Sequence, residues 1–172
     1  MALSANSYSM PDVSKALSEI EFHQSGNKKI KLDSFADKTM ILFFGYTNCP
    51  DICPTTLLDI SRSLKALQAD ANKIQAIFIS VDYQRDTPDF LEKYVNYFDK
   101  RIIGVTSSKK NIDRINKAFN TKYALLDTKS ENYLVEHSSN VYIIDKDMIV
   151  QRIIANGLPS EEITKAIRKL ID

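Results

Sequence analysis

The sequence contains no long hydrophobic run and almost no net charge. Its longest apolar stretches, such as MILFF and AIFI, have the length of a strand, far below the ~18 to 20 apolar residues that a membrane-spanning helix needs. Lysine and arginine number 23 against 22 aspartates and glutamates, so the net charge is +1. This balance provides no general field for collecting phosphates or anionic lipids, and we expect no nucleic-acid partner.

The N-terminal sequence lacks a recognisable targeting signal. MALSANSYSM has neither the charged start nor the apolar centre of a secretory signal peptide. We therefore expect residues 1–20 to form an arm that follows a membrane anchor or signal missing from this sequence. At 172 residues the chain is long enough for one ordinary hydrophobic core, and we expect a single domain over residues 21–172.

Strand-like and helix-like segments alternate along the chain. A hairpin is predicted over residues 19–35, and Thr87 is expected to cap a helix that has Pro88 in its first turn. Apolar runs predict strands, and apolar residues at helical spacing predict helices. The strands are expected at 39–46, 73–82, 101–106 and twice within 140–154, with a short extended piece at 122–126; the helices are expected at 55–70, 87–98, 108–119 and 159–171.

This order indicates an α/β protein in which the two strands within 140–154, near the C-terminus, add an antiparallel hairpin to an otherwise parallel sheet. Two cysteines directly after the first long strand make the pattern thioredoxin-like. We predict a thioredoxin-like three-layer sandwich, with a central mixed β-sheet flanked by helices and an N-terminal β-hairpin.

Cysteine is scarce, and both cysteines lie in one heptapeptide. NCPDICP places Cys49 and Cys53 three residues apart, whereas a thioredoxin redox motif has two residues between its thiols. In a helical turn, positions i and i+4 share one face with Cβ atoms roughly 5 to 6 Å apart. The pair could therefore close a disulfide or hold a soft metal ion between two thiolates. A purely structural disulfide would close too short a loop to restrain the unfolded chain much.

Local charges act on these thiols in opposite directions. The N-terminus of the following helix, which Thr55 or Thr56 could cap, should lower the thiol pKa. The carboxylate of Asp51 should raise it, unless that side chain points to solvent.

Histidine is equally scarce, with only His23 and His137. We expect His23 to be an exposed residue of the N-terminal hairpin. His137 lies directly before an apolar strand, and in a thioredoxin-like sheet the loop entering that strand passes beside the cysteine-bearing turn. His137 is therefore a candidate third metal ligand.

Three segments closely resemble the Sco/SenC family of copper-binding assembly proteins for cytochrome c oxidase. They are YTNCPDICPTTL, ISVDYQRDTPDFLEKYVNYF and YLVEHSSNVYIID, and the resemblance runs from about Phe22 to Leu170. It implies a thioredoxin-like domain in which Cys49, Cys53 and His137 bind copper. It also implies an N-terminal membrane tether, with the domain on the periplasmic side or in the mitochondrial intermembrane space. This chain has Tyr83 where the family often has proline, and Glu136 where aspartate is common.

The function that the resemblance implies is that of a copper chaperone. It would bind one copper ion and deliver it to the dinuclear copper site of cytochrome c oxidase subunit II. Two thiolates and one imidazole suit Cu(I) in a roughly trigonal site, and Cu(II) with an added oxygen ligand. A thioredoxin-like reductant is an expected partner, and a separate copper donor is a further candidate.

The alternative function is enzymatic: a thiol–disulfide reductase that keeps the copper-binding cysteines of the oxidase subunit reduced. Cys49 would then attack as the nucleophile, with Cys53 as the other member of the redox-active pair. His137 would be dispensable.

Asp82, Arg85 and Asp86 are interpreted as a surface ion pair and a helix cap, with a docking surface for a partner as the less favoured alternative.

Overall fold

The computed structural model describes residues 10–171. A five-stranded sheet forms its centre. Its strands are β3 (Thr39–Gly45), β4 (Ile74–Ser80), β5 (Ile102–Val105), β8 (Val141–Ile144) and β9 (Val150–Ile154), and they lie in the order β5-β4-β3-β8-β9. The first three are parallel to one another, whereas β8 and β9 are antiparallel to their neighbours. The predicted mixed sheet is confirmed.

Helices flank this sheet. They are α1 (Ser14–Glu19), α2 (Ile52–Ala66), α3 (Pro88–Phe98), α4 (Lys109–Ala118) and α5 (Ser160–Ile171), with 3-10 turns at Leu32–Phe35 and Gln68–Lys73. Every residue of β3 is buried, as expected for a strand of a parallel sheet covered on both faces. Because β3 is the middle strand of the sheet, the loop at its C-terminal end leaves from the middle of one edge of the sheet.

Two small antiparallel hairpins lie outside the five-stranded sheet. The predicted N-terminal hairpin consists of β1 (Phe22–Gln24) and β2 (Lys28–Ile30). The second pairs β6 (Tyr123–Leu126) with β7 (Leu134–His137). The sequence predicted β6 as an extended piece but gave no strand at β7, because its four residues, LVEH, are too few to show an apolar alternation. Within residues 10–171, no helix is long and apolar enough to cross a bilayer.

The N-terminal segment differs from the expected arm. Residues 1–9 lie outside the described residues, but α1 follows them, and Val13, Leu17 and Ile20 are buried in the core. The folded unit therefore begins before residue 21. The helix is only six residues long, too short for its apolar repeat to stand out in the sequence.

The boundaries of α2 also differ from the prediction. The helix begins at Ile52 rather than Thr55 and ends at Ala66, so it includes Cys53. Its N-cap is Asp51, without a side-chain hydrogen bond, and the Thr55 hydroxyl donates to the Asp51 carbonyl. The cap predicted at Thr55 or Thr56 is therefore wrong, whereas the Thr87 cap on α3 is confirmed by its bond from the Phe90 N–H.

Candidate metal centre

The two cysteines lie where the central strand passes into α2. Cys53 is in the first turn of the helix and fully buried, whereas Cys49 precedes the helix and is half-buried. The Cys53 backbone N–H donates to Cys49 Sγ across 3.5 Å. The sulfur of Cys49 therefore lies against the N-terminus of α2, where the partial positive charge of the helix favours a thiolate.

Gly45, the last residue of β3, makes room for the buried sulfur. A Cβ atom at this position would lie 2.7 Å from Cys53 Sγ and 2.6 Å from a ring carbon of Phe78. No side chain fits there unless one of these atoms moves. In the sequence Gly45 is only one residue of the strand predicted at 39–46, because Cys53, its partner in this contact, is eight residues further along the chain.

His137 ends β7 and reaches the same place. Its Nε2 lies 3.5 Å from Cys53 Sγ, and its Nδ1 lies 3.0 Å from the Ser138 carbonyl oxygen. A carbonyl can only accept, so Nδ1 carries a proton, and in the neutral ring Nε2 presents its lone pair towards the cysteines. The ring also packs edge-on against Tyr46, a contact that the sequence did not predict.

The three side chains fit a single metal ion. Their candidate ligand atoms all lie within 4.8 Å of one another. An ion bound at the usual ~2.0 to 2.3 Å in a trigonal site would place its ligands about 3.8 Å apart, so small side-chain adjustments suffice. No fourth Cys, His, Asp or Glu joins the group within residues 10–171. A closed tetrahedral zinc site would need such a ligand.

The two thiols titrate in opposite directions. A hydrogen bond from Cys53 lowers the pKa of Cys49 to about 4, against the opposing effect of burial and with help from backbone N–H groups of Cys53 and Asp51. The same pairing, followed by burial, raises the pKa of Cys53. The side chain of Asp51 is exposed, which is the exception stated for its carboxylate, and Asp51 acts on Cys49 through its backbone N–H.

The centre opens into a groove with a mostly apolar lining. Tyr46, Pro50, Ile52, Leu126, Leu134 and Val135 are among the lining residues. Ile52 and Leu134 are exposed, whereas Cys53 lies below the surface. A partner entering the groove would reach Cys49 and His137 before Cys53.

The remaining sequence-predicted residues have other positions. His23 is exposed in β1 and is not part of the three-residue group. Asp82 and Arg85 form an ion pair of 2.6 Å, but Asp82 is completely buried. The surface ion pair expected there is therefore wrong. Asp86 is buried too and binds Thr47, while the cap of α3 is Thr87.

Known proteins resemble this chain over almost its whole length. The SCO1/SenC family model matches residues 11–172. An SCO2-like protein of Rickettsia prowazekii is 36% identical over 117 residues, which are 67% of this chain and 57% of that protein. The chain spans little more than half the length of several such relatives.

Solved structures give the same result. The copper-bound ScoI structure of Arabidopsis thaliana matches with a TM-score of 0.81 and 27% identity, over 88% of this chain and 95% of that one. The copper-bound ScoI structure of Bradyrhizobium japonicum matches with a TM-score of 0.79 and 31% identity, over 87% and 96%. With the thioredoxin-like fold and the predicted motifs in place, the chain belongs to the SCO1/SenC family.

Proposed function

We propose that this protein is a copper chaperone that binds one copper ion through Cys49, Cys53 and His137. The observation that carries the proposal is the convergence of two sulfurs and one imidazole nitrogen within 4.8 Å. Two soft thiolates and an imidazole favour Cu(I), and an added oxygen ligand would accommodate Cu(II). The copper-bound relatives support copper as the cargo.

The position of each ligand suggests how copper is transferred. Cys53 is buried beneath the groove, whereas Cys49 and His137 are partly exposed at its floor. An incoming ligand would therefore replace Cys49 or His137 first, and Cys53 would release the ion last. We propose that the acceptor is the dinuclear copper site of cytochrome c oxidase subunit II, as the family resemblance implies.

Loading requires both thiols in the reduced state. A disulfide between Cys49 and Cys53 would occupy the same sulfurs, and its reduction to the Cys49 thiolate and the Cys53 thiol consumes two electrons and one proton. A thioredoxin-like dithiol would supply both by forming a mixed disulfide and then its own disulfide. A separate copper donor would then fill the reduced site. We place the domain on the periplasmic side of a membrane, or in the intermembrane space, tethered by an N-terminal anchor.

A second candidate function is thiol–disulfide reduction. The asymmetry of the pair favours it: Cys49 is an accessible thiolate at neutral pH, and Cys53 is a buried neighbour that could resolve a mixed disulfide. The substrate would be the oxidised copper-binding cysteines of the same oxidase subunit. His137 has no necessary role in this reaction.

Cu(I) binding to the reduced protein distinguishes these functions. The unaltered chain would be compared with Cys49→Ala, Cys53→Ala and His137→Ala in competition with a chromophoric Cu(I) chelator. His23→Ala is the matched control, since it removes the other histidine. We expect one equivalent of tightly held copper that all three ligand variants weaken and His23→Ala leaves unchanged. Wild-type affinity in His137→Ala, together with intact thiol exchange, would favour the reductase.

A further inference from the structure

The loop between β4 and α3, residues 82–86, contacts both chain segments that carry the candidate ligands. Neither of these segments belongs to the central sheet near the ligands. Cys49 lies in the loop after β3, and His137 ends a hairpin that is separate from the five-stranded sheet. Backbone pairing stops short of both ligands: β3 pairs with β8 as far as Phe43 and Val141, and side-chain contacts must hold the segments beyond that pair.

Asp86 holds the cysteine-bearing segment. One of its carboxylate oxygens accepts from the Thr47 hydroxyl at 2.6 Å. The other accepts from the Thr47 backbone N–H at 2.9 Å and from the Ser80 hydroxyl at 2.6 Å. Thr47 is two residues before Cys49, and Ser80 ends β4. This carboxylate thus ties the cysteine loop to the end of a sheet strand.

Asp82 and Arg85 hold the histidine-bearing hairpin. The buried carboxylate of Asp82 accepts a short hydrogen bond from the Tyr133 hydroxyl and an ion-paired bond from Arg85 Nε at 2.6 Å. The guanidinium of Arg85 lies over the Tyr133 ring, 3.5 Å from its centroid, and donates to the Glu131 carbonyl at 3.1 Å. Tyr133 is the residue immediately before β7, whose last residue is His137.

Burying these charges is expensive. An ionised carboxylate removed from water costs several kcal/mol unless its partners replace the lost solvation. Asp82 and Asp86 are 0% and 4% exposed, and they lie four residues apart in one loop. Their bonds lead in two directions, one to the cysteine loop and one to the hairpin. An ion pair that only stabilised this loop would not require hydrogen bonds to two separate chain segments.

We propose that the 82–86 loop is a positioning element that fixes Cys49 and His137 relative to each other, so that both lie within metal-binding distance of Cys53. This inference rests on the proposed copper-binding function. Asp82, Arg85 and Asp86 do not touch the metal. They act through Tyr133 and Thr47, which makes all five positioning residues.

Two mild variants test the two sets of contacts, one to the hairpin and one to the cysteine loop. Tyr133→Phe keeps the ring beneath Arg85 and removes only the hydroxyl, and Thr47→Val keeps the shape and removes only the hydroxyl bond to Asp86. Partners that orient metal ligands typically contribute 10- to 100-fold to affinity, so each variant should weaken Cu(I) binding about tenfold. Asp99→Asn is the matched control: it breaks the Asp99–Arg101 pair, another ion pair with a largely buried carboxylate.

A double-mutant comparison separates positioning from general stability. In a His137→Ala background, Tyr133→Phe should cause no further loss of affinity, because its effect passes through His137. Thr47→Val should retain its full effect there. Equal losses for Tyr133→Phe in both backgrounds, or wild-type affinity in both single variants, would overturn the proposal.

Hydrogen–deuterium exchange of the metal-free protein provides a measurement that does not depend on copper. Tyr133→Phe should raise exchange in β6 and β7, and Asp99→Asn should not. If the hairpin loosens but no ligand variant weakens copper binding, the loop still anchors the hairpin, and it is the proposed copper-binding function that fails. If the ligand variants weaken binding but the hairpin and the affinity of Tyr133→Phe are unchanged, the positioning role fails alone. Arg85→Lys, which loses the planar stack but keeps the charge, replaces Tyr133→Phe if that variant does not fold.

Discussion

Substituting Gly45 by alanine should damage the metal centre from within the core. The added Cβ would lie 2.6 Å from the Phe78 ring and 2.7 Å from Cys53 Sγ. The φ angle of Gly45 is not in the left-handed region, so alanine is compatible with the backbone. The effect is therefore purely steric.

The magnitude follows from these distances. Non-bonded carbons sit comfortably about 3.5 to 4.0 Å apart, so each contact must open by roughly 1 Å. Phe78 is fully buried within the core, and overpacking of this kind costs about 1–3 kcal/mol of the free energy of unfolding. Part of the movement falls on Cys53 Sγ, and metal sites tolerate only about 0.5 Å of ligand displacement. We expect Cu(I) affinity to fall about tenfold or more.

The assay combines urea unfolding of the metal-free protein with chelator competition for Cu(I). Gly104→Ala is the matched control, because its Cβ would lie 3.0 to 3.1 Å from atoms of Leu91, in α3 rather than at the cysteines. We expect both variants to be destabilised and only Gly45→Ala to lose copper affinity. Equal destabilisation with wild-type affinity in both would refute the argument that Gly45 sets the position of the Cys53 sulfur.

Three further predictions concern the thiols and the scaffold. Iodoacetamide should alkylate Cys49 readily at about pH 6, because the pKa of Cys49 is lowered to about 4, whereas an ordinary thiol of pKa ~8.5 reacts slowly at that pH. Peptide mass mapping should find Cys53 unmodified. A pH profile of Cys49 alkylation like that of a free thiol would contradict the assignment. Because Cys49 is already a thiolate, copper binding should displace about one thiol proton, from Cys53. Cu(I) affinity should therefore fall about tenfold per pH unit on acidification from roughly pH 8 to 6.5. A flat profile in chelator competition would exclude these ligands. Thr87→Ala removes the cap of α3 and should cost about 1 kcal/mol in urea unfolding without changing copper affinity; unchanged stability would show that the cap contributes little.

The sequence by itself determined the layer architecture and the identity of the three candidate ligands. Strands such as β3 and β4 are continuous apolar runs, and α3 carries its own cap, so local chemistry specifies both kinds of element. Cys49 and Cys53 were recognisable because they are the only cysteines and lie four positions apart. His137 was recognisable from its place before an apolar strand and from the family motif.

Only the tertiary structure decided how these residues are arranged. The helix α2 starts at Ile52 and places Cys53 against Gly45, a contact that no local propensity encodes. The sequence predicted Asp82 and Asp86 to be surface residues, because charged side chains are usually exposed. Their partners, Tyr133 and Thr47, are 51 and 39 residues away in sequence. Burial of a charge depends on such distant partners, so it becomes visible only when the folded chain brings them together.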